Sequence, residues 1–316
     1  MTFSQRAKQE MMRIRPEKHC CVISELSALT QCLGSLGLMG GGKYKVTYHV
    51  ESSELARRVF GLLLMGLQIT AQMEYSVLPR FGGKNAVDMT VSGADARKLL
   101  IALHMMRTAE GGDVFRGVPR TAVNRNCCRR AFLRGAFLGG GSMRDPGSDY
   151  RAEFVTVTED RANTLLRVLE KSGVKGAVTE RRGQKVVYVK NGDGVATLLA
   201  AMGAHTALLD MENTRIRRSA VGQANRAMNC DTANMRRQTD TGRAQAERIM
   251  EYSRANGLGA LDETLYELAR ARMVNPDISL EQLGAMLEPP ASKSAVCYRM
   301  RRLIRIIDGS GGNRKN

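Results

Sequence analysis

The sequence contains no tryptophan, and aromatic residues make up only 5% of it. A core built from this chain must therefore be aliphatic, drawing on its 18 methionines. Long apolar runs are also missing. The longest, around residues 62–65, falls far short of the ~20 residues that cross a bilayer. The N-terminal segment is polar and basic and has no apolar stretch of the secretory kind, so neither secretion nor membrane spanning is expected. No Cys-x-x-Cys pair occurs, and the cysteines number seven. An odd count without paired spacing argues for reduced thiols and a cytoplasmic protein rather than a disulfide framework. The four histidines, His19, His49, His104 and His205, form no spaced cluster and are expected to be structural or surface residues.

Acidic residues are scarce as well: 31 Asp and Glu stand against 48 Lys and Arg, a formal net charge of +17. This excess points to a polyanionic partner, most simply nucleic acid. The charge is uneven. Residues 116–151 hold eight arginines against Asp145 and Asp149, and residues 215–254 hold nine against Asp231, Asp240, Glu247 and Glu251. Charge concentrated in segments is a stronger footprint than charge spread evenly.

At 316 residues and 43% apolar content, the chain is long enough for two domains with real cores. Its most informative stretch is Leu133-Arg-Gly-Ala-Phe-Leu-Gly-Gly-Gly-Ser-Met143, which has an echo in Leu26-Ser-Ala-Leu-Thr-Gln-Cys-Leu-Gly-Ser-Leu36. A shift of 107 residues superposes Leu26 on Leu133, Gly34 on Gly141, and Cys20-Cys21 on Cys127-Cys128. The surrounding patterns repeat too. In the first copy a helix over 20–33 is followed by an alternating strand over 43–50 and a helix capped by Ser52 or Ser53. A hairpin over 73–78 and 86–91, turning through Gly82-Gly83, and a helix from Gly93 complete it. The second copy reads as a helix over 127–138, a strand over 152–158, a helix over 159–170, a hairpin over 174–190 and a helix over 192–202. An αββα-type duplication of this length predicts a pseudo-twofold α+β domain over 20–208, with repeats at 20–107 and 127–205. Gly135 and Gly139 share one helix face, and Ala28 and Cys32 are their small counterparts. That pattern suits two closely packed helices.

Both copies resemble the signature helix of the LAGLIDADG homing endonucleases, an apolar helix ending in Ala-Asp-Gly-Ser whose acidic residue binds the catalytic metal. Here that position is Leu33 in one copy and Gly140 in the other, and the second acidic position is Gln31 and Leu138. Without carboxylates at the helix ends, a divalent metal has no ligands there. Asp145 lies just past the second helix but has no acidic counterpart in the first copy. Residues 37–43, Gly-Leu-Met-Gly-Gly-Gly-Lys, have the spacing of a phosphate loop, but Tyr44 replaces the required hydroxyl. A helix is expected before them and a strand after, the reverse of the required order, so they read as a glycine turn. Cys20, Cys21, Cys127 and Cys128 would make a four-thiolate metal site if they converged. Neighbouring helical residues point about 100° apart, so they are read as buried thiols. No catalytic residue, metal site or cofactor is expected.

Beyond residue 208 glycine thins out and Arg, Asn and Gln rise. Residues 209–256 read as a basic helical linker, broken at Thr239-Asp-Thr-Gly242. Its arginines either track phosphates or form a solvated face. Residues 257–309 read as three helices. The first ends at Asn275-Pro276. Ser279-Leu-Glu-Gln282 is a capping box for the second, and Ser292 caps the third. The third helix carries an apolar stripe of Val296, Met300, Leu303, Ile304 and Ile307, opposite Ser294, Tyr298, Arg301, Arg302 and Arg305. A short helix, a turn and a longer basic amphipathic helix make the helix-turn-helix plan. Lys293, Ser294 and Tyr298, joined by Arg301 or Arg302, are expected at base edges, and Arg299 and Arg305 at phosphates. The alternative is a three-helix protein-interaction bundle. Residues 1–19 are expected as a basic arm and 310–316 as a flexible tail.

His19-Cys-Cys21, Cys127-Cys-Arg-Arg-Ala-Phe-Leu-Arg-Gly-Ala-Phe-Leu138, Asn225-Arg-Ala-Met-Asn-Cys-Asp-Thr-Ala-Asn234 and Pro290-Ala-Ser-Lys-Ser294 together resemble the WhiA family. The resemblance covers nearly the whole chain. It implies a degenerate LAGLIDADG-like domain without nuclease activity, followed by a DNA-binding helix-turn-helix. It also implies a transcriptional regulator linked to bacterial cell division, chromosome segregation and sporulation. The partner it implies is double-stranded DNA in the nucleoid, and a second regulatory protein is a further candidate partner, through the LAGLIDADG-like domain. The competing readings are a nucleoid scaffold of low sequence specificity and a metal-dependent endonuclease.

Overall fold

The computed structural model describes residues 1–78, 84–109, 112–115 and 123–311, and the chain divides into two compact units, Met1–Arg218 and Ser219–Asn316. The first departure from expectation is at the start. Residues 1–19 are not an extended basic arm but contain helix α1 (Phe3–Arg13), opened by a capping box between Thr2 and Gln5. Phe3, Ala7 and Met11 recur every four residues, so they share one face and are buried together. The intervening charged residues mask this stripe in the composition. The Glu10 carboxylate accepts hydrogen bonds from the N–H groups of Thr206 and Ala207, at 2.8 and 3.1 Å. These are first-turn donors of a later helix that would otherwise lack partners.

The first repeat runs α2 (His19–Leu33), β1 (Gly34–Leu38), β2 (Tyr44–Val50), α3 (Ser53–Leu67), β3 (Gln72–Leu78), β4 (Lys84–Ser92) and α4 (Gly93–Ala102). Its sheet has the order β1-β2-β4-β3, antiparallel throughout. Tyr44, Val46, Tyr48 and Val50 of β2 are buried while Lys45 and His49 are exposed, as the alternation requires. Ser52 accepts from the Leu55 N–H and caps α3. The turn expected at Gly82-Gly83 lies outside the described residues. A hairpin of β5 (Met106–Ala109) and β6 (Gly112–Phe115) follows. The second repeat repeats the order: α5 (Asn126–Gly140), β7 (Gly141–Met143), β8 (Ala152–Thr156), α6 (Glu159–Glu170), β9 (Ala177–Arg181), β10 (Gln184–Val189) and α7 (Gly192–Met202). Its sheet has the matching order β7-β8-β10-β9.

Strands β1 and β7 are additional to the expected pattern. They are short and rich in small residues, without alternating hydrophobicity, and it is ladder hydrogen bonding to β2 and β8 that makes them strands. The glycines at 40, 41 and 42 all adopt positive φ, at 80°, 57° and 71°, and turn β1 into β2. The element before this turn is therefore a strand rather than the expected helix. A hairpin of this kind offers no helix N-terminus to a phosphate.

Helices α2 and α5 form the centre of the first unit, with Leu26, Leu29, Leu133 and Phe137 fully buried. Gly135 lies so close to α2 that a Cβ there would sit 2.5 Å from the Glu25 carbonyl oxygen and 3.0 Å from the Ala28 Cβ. A Cβ at Gly139 would sit 2.6 Å from the Cys32 Cβ. The expected pairing of small residues is thus the contact itself. Beside it, the buried Glu25 carboxylate receives Arg58 of α3 at 2.6–2.8 Å and Arg134 of α5 at 2.8–2.9 Å. Arg58 also donates to the carbonyls of Met12 and Ile14 at the end of α1. Each arginine thus ties a different helix to one carboxylate, so the buried Glu25 is paired from two sides.

Helix α8 (His205–Asn256) is continuous and passes through Thr239-Asp-Thr-Gly242, where a break was expected. Tertiary packing overrides the poor helical propensity of these residues. A Cβ at Gly242 would meet the Pro276 carbonyl oxygen, so this glycine serves close approach rather than termination. Further along, Ala246, Ile249 and Tyr252 are buried. In the second unit α9 (Glu263–Val274), α10 (Leu280–Ala285) and α11 (Lys293–Gly311) complete the architecture. Its core joins Ile249 to Leu265, Leu268, Ala269, Leu283, Leu287, Val296, Met300 and Leu303. The expected three-helix bundle is therefore completed by a fourth helix, the end of α8. Arg272, only 2% exposed, donates to the carbonyls of Asn275, Pro276 and Ile278 and fixes the turn between α9 and α10. No helix of the described residues is long and apolar enough to cross a membrane.

Adding one methyl group should separate packing from propensity. Gly135→Ala is expected to destabilise the fold by about 1–3 kcal/mol through overpacking against α2. Gly61→Ala, at a position in α3 where a Cβ meets nothing within 4 Å, should instead add roughly 0.5–1 kcal/mol of stability. Urea unfolding of the two variants measures both signs.

Candidate nucleic-acid interface

The second unit presents α11 by local chemistry that the sequence spells out. Ser279 accepts from the Gln282 N–H at 3.1 Å and Gln282 accepts from the Ser279 N–H at 3.0 Å, closing the capping box of α10. The chain then turns back so that the Ala291 N–H donates to the Gly284 carbonyl at 2.9 Å. A Cβ at Gly284 would collide with the Ala291 carbonyl oxygen, so only glycine permits this tight return. Ser292 accepts from the Ala295 N–H at 3.3 Å and caps α11, as expected.

On α11, Val296, Met300 and Leu303 are buried, with Ile304 and Ile307 half-buried beside them. Ser294, Tyr298, Arg301 and Arg305 follow one another at steps of four, three and four residues, so they form one row on the opposite face. All four are exposed, Tyr298 at 71%. Lys293 is exposed in the first turn, and Arg299 is half-buried at the flank. Arg302 is placed differently from its neighbours. It pairs with Asp262 at 3.1 Å, and Asp262 is itself the N-cap of α9, accepting the Leu265 N–H at 2.9 Å. The Thr264 hydroxyl, the Leu265 N–H and the guanidinium of Arg302 together hold the Asp262 carboxyl below the usual carboxylate range. Arg248 likewise pairs with Asp308, and Arg243 pairs with Asp277 at 2.6 Å. Arg301 and Arg305 have no ion pair among the described residues. Of the residues expected to read bases, Ser294, Tyr298 and Arg301 share this row, while Lys293 precedes it in the first turn and Arg302 is held by a partner 40 positions away that carries no signal in the local pattern.

The first unit contains the corner where a LAGLIDADG enzyme would hold metal. A cavity of about 220 Å³ near the C-terminal ends of α2 and α5 is lined by Ala28, Gln31, Cys32, Phe132, Gly140 and Arg161 among others. Arg161 donates to the Gln31 carbonyl at 2.6 Å, so a cation occupies the surroundings where metal-binding carboxylates would be needed. Burial pushes the Cys32 thiol up to about 11. The Asp145 carboxylate accepts the Gly147 N–H at 2.8 Å within a turn, a structural role. On the sheets, Lys43 and Lys45 are exposed. In the second repeat Glu153 pairs with Arg151 at 2.6 Å and with Arg181 at 3.4 Å, so these two cations share one carboxylate within the sheet.

The structure overturns one objection drawn from helix geometry. The sulfur atoms of Cys20, Cys21, Cys127 and Cys128 lie within 4.8 Å of one another. Neighbouring side chains on one helix do diverge, but each pair lies in the first turn of its own helix, and the four thiols meet between the two helix starts. Burial pushes the Cys21 thiol up to about 12 and the Cys128 thiol up to about 11. Of the histidines, His19 bonds the Gly66 carbonyl and His49 pairs with Asp88, both at 2.8 Å.

Comparison with known proteins agrees along the chain. The WhiA N-terminal LAGLIDADG-like domain matches residues 19–100, the WhiA LAGLIDADG-like domain residues 129–221 and the WhiA C-terminal HTH domain residues 224–307. A probable cell division protein WhiA from Alkaliphilus metalliredigens is 35% identical over 314 residues, 99% of each chain. Another from Alkaliphilus oremlandii is 37% identical over 311 residues, 97% of each. The full-length WhiA crystal structure from Thermatoga maritima shares the fold at a TM-score of 0.60, with 23% identity and 98% of both chains covered.

The Asp262–Arg302 pair has a pH signature. A carboxyl held low in the folded state contributes stability above its unfolded pKa and loses it as pH falls through the folded pKa. Arg302→Ala is expected to move the Asp262 titration upward, toward its unfolded value, read by NMR of the carboxyl carbon; the helical unit of this variant should be less stable near neutral pH and should lose less stability on acidification. An unmoved titration would mean that the pair contributes nothing in solution.

Proposed function

The chain belongs to the WhiA family, and from that premise we propose that it is a sequence-specific DNA-binding transcriptional regulator of bacterial cell division, without nuclease activity. Chromosome segregation and sporulation are included in the proposed role. The observation that carries the reading is the unpaired outward row of Ser294, Tyr298, Arg301 and Arg305 on α11. A helix of this kind fits the major groove, where its N-terminal part approaches base edges. Lys293, Ser294, Tyr298 and Arg301 are assigned to base reading, and Arg299 and Arg305 to phosphates. Arg302, held by Asp262, is assigned to the phosphate backbone rather than to a base. The exposed Arg226, Arg236 and Arg237 of α8 add sequence-independent attraction.

The absence of nuclease activity rests on chemistry. Leu33, Gly140, Gln31 and Leu138 offer no carboxylate for a divalent metal, and Arg161 adds positive charge beside Gln31. A regulator confined to the nucleoid and assisted by a second protein on the duplicated domain is the fuller form of the proposal.

Selection from a random duplex pool, followed by fluorescence anisotropy on the full-length chain, tests it. Arg301→Ala should weaken the selected site by about one to two orders of magnitude while leaving a scrambled duplex nearly unaffected. Arg305→Ala should weaken both duplexes equally and flatten the salt dependence. Equal affinity of the native chain for selected and scrambled duplexes would favour a nucleoid scaffold of low specificity. Cleavage of the selected duplex with magnesium or manganese would restore the endonuclease reading.

A further inference from the structure

We propose that Cys20, Cys21, Cys127 and Cys128 form a tetrahedral zinc–thiolate site that clasps the two repeats together at the starts of α2 and α5. The four sulfur atoms already lie within 4.8 Å of one another, and those of Cys127 and Cys128 are 4.0 Å apart. Zinc–sulfur bonds of about 2.3 Å place the ligands of a tetrahedral site at edges of about 3.8 Å. The quartet therefore needs to contract by an ångström or less. An iron–sulfur cube spreads its thiolates around four metal atoms, and so tight a group suits a single ion instead. Four thiolate donors and no oxygen or imidazole select a soft or borderline cation, of which zinc is the redox-silent choice in a reducing compartment.

The surroundings suit the charge. Binding converts four thiols and one Zn²⁺ into a complex of net charge −2, with release of four protons. Helices α2 and α5 begin at this point, and their N-cap residues, Lys18 and Arg125, make no side-chain capping bond. The positive ends of two helix dipoles thus lie beside the thiolates. An adjoining cleft of about 440 Å³, lined by Lys18, Cys21, Cys127, Arg130, Arg134 and His205 among others, adds positive charge and a route for the ion. In each pair one cysteine is buried and the other half-buried, so the ion would be held from both repeats and largely screened from water. The two cysteine pairs are related by the same 107-residue shift as the repeats. The site would therefore lie at the pseudo-twofold junction, at the opposite end of the central helices from the corner that lacks carboxylates.

Elemental analysis of the full-length protein, purified with reductant and without affinity metal, tests this. About one zinc per chain is expected, and the metal-free protein given cobalt(II) should develop sulfur-to-cobalt charge-transfer absorption with the intense visible bands of a tetrahedral site. Cys20→Ser with Cys127→Ser, which changes the two half-buried ligands, should bring bound zinc below about a tenth of an equivalent and abolish the cobalt bands. Far-UV circular dichroism checks that the variant stays folded. Cys230→Ser with Cys297→Ser should keep the metal. A native chain with neither zinc nor cobalt–thiolate absorption overturns the proposal. So does a folded double variant that retains its zinc, or an intact mass lighter by two protons per bridge, which would make the quartet a disulfide site. Because none of these readouts depends on DNA binding, the proposal stands or falls apart from the proposed function.

Discussion

Everything in the first unit depends on two helix backbones being allowed to touch. At Gly135 the separation is set by the Glu25 carbonyl oxygen, which leaves no room for a side chain. This approach brings α5 near enough for Arg134 to reach the Glu25 carboxylate, which also takes Arg58 from α3. Burying three charges in an aliphatic core is expensive unless each is paired, and losing one partner typically costs about 3–5 kcal/mol. The network therefore specifies one packing more than it adds net stability. Because Arg58 also binds the Met12 and Ile14 carbonyls, it extends to α1. A helix at the very start of the chain is thus fixed by the same carboxylate as the central pair.

The same helix pair explains why the signature motif persists without its chemistry. Once its acidic positions hold Leu33 and Gly140, the helix ends are left with packing alone. A Cβ at Gly140 would sit 3.1 Å from the Val155 carbonyl oxygen, and one at Gly141 would collide with Phe137. Glycine is favoured at 140 by the approach of α5 to β8 and required at 141 by the close passage over Phe137, whether or not a metal was ever bound. The matched glycines Gly34 and Gly141 are thus a record of geometry, and only the acidic residue could have reported catalysis.

The repeat, the central helices, the second and third capping residues of the helical unit and the apolar stripe of α11 were all legible in the sequence. Each rests on local spacing, and local spacing is what a sequence displays. What was not legible depends on contacts across space. β1 and β7 arise from ladder bonds to distant strands rather than from alternation. α1 was hidden because its buried stripe of Phe3, Ala7 and Met11 is interleaved with charge. Thr239-Asp-Thr-Gly242 reads as a helix stop by propensity, yet Gly242 is the point where α8 meets the Pro276 carbonyl. The Asp262–Arg302 pair and the convergence of four thiols join residues from different helices. In the last case the two thiols of each pair diverge on their own helix, and only the meeting of α2 with α5 brings all four together.

Net charge alone does not locate a nucleic-acid surface, since pairing can cancel it. On the sheet of the second repeat some of the cations are paired. Glu153 holds Arg151 and Arg181, and Glu180 holds Lys185. In the helical unit the compensation is selective. Asp262, Asp277 and Asp308 take Arg302, Arg243 and Arg248, all cations that brace one helix against another. Arg301 and Arg305 are left on the outward row of α11, beside a tyrosine whose ring and hydroxyl face solvent. Acidic residues are thus placed where they stabilise the frame and are withheld from the row that faces outward. An exposed row without carboxylate partners among the described residues, on a helix whose other face is packed into the core, is what distinguishes a surface built to meet phosphates and bases from one that is merely basic.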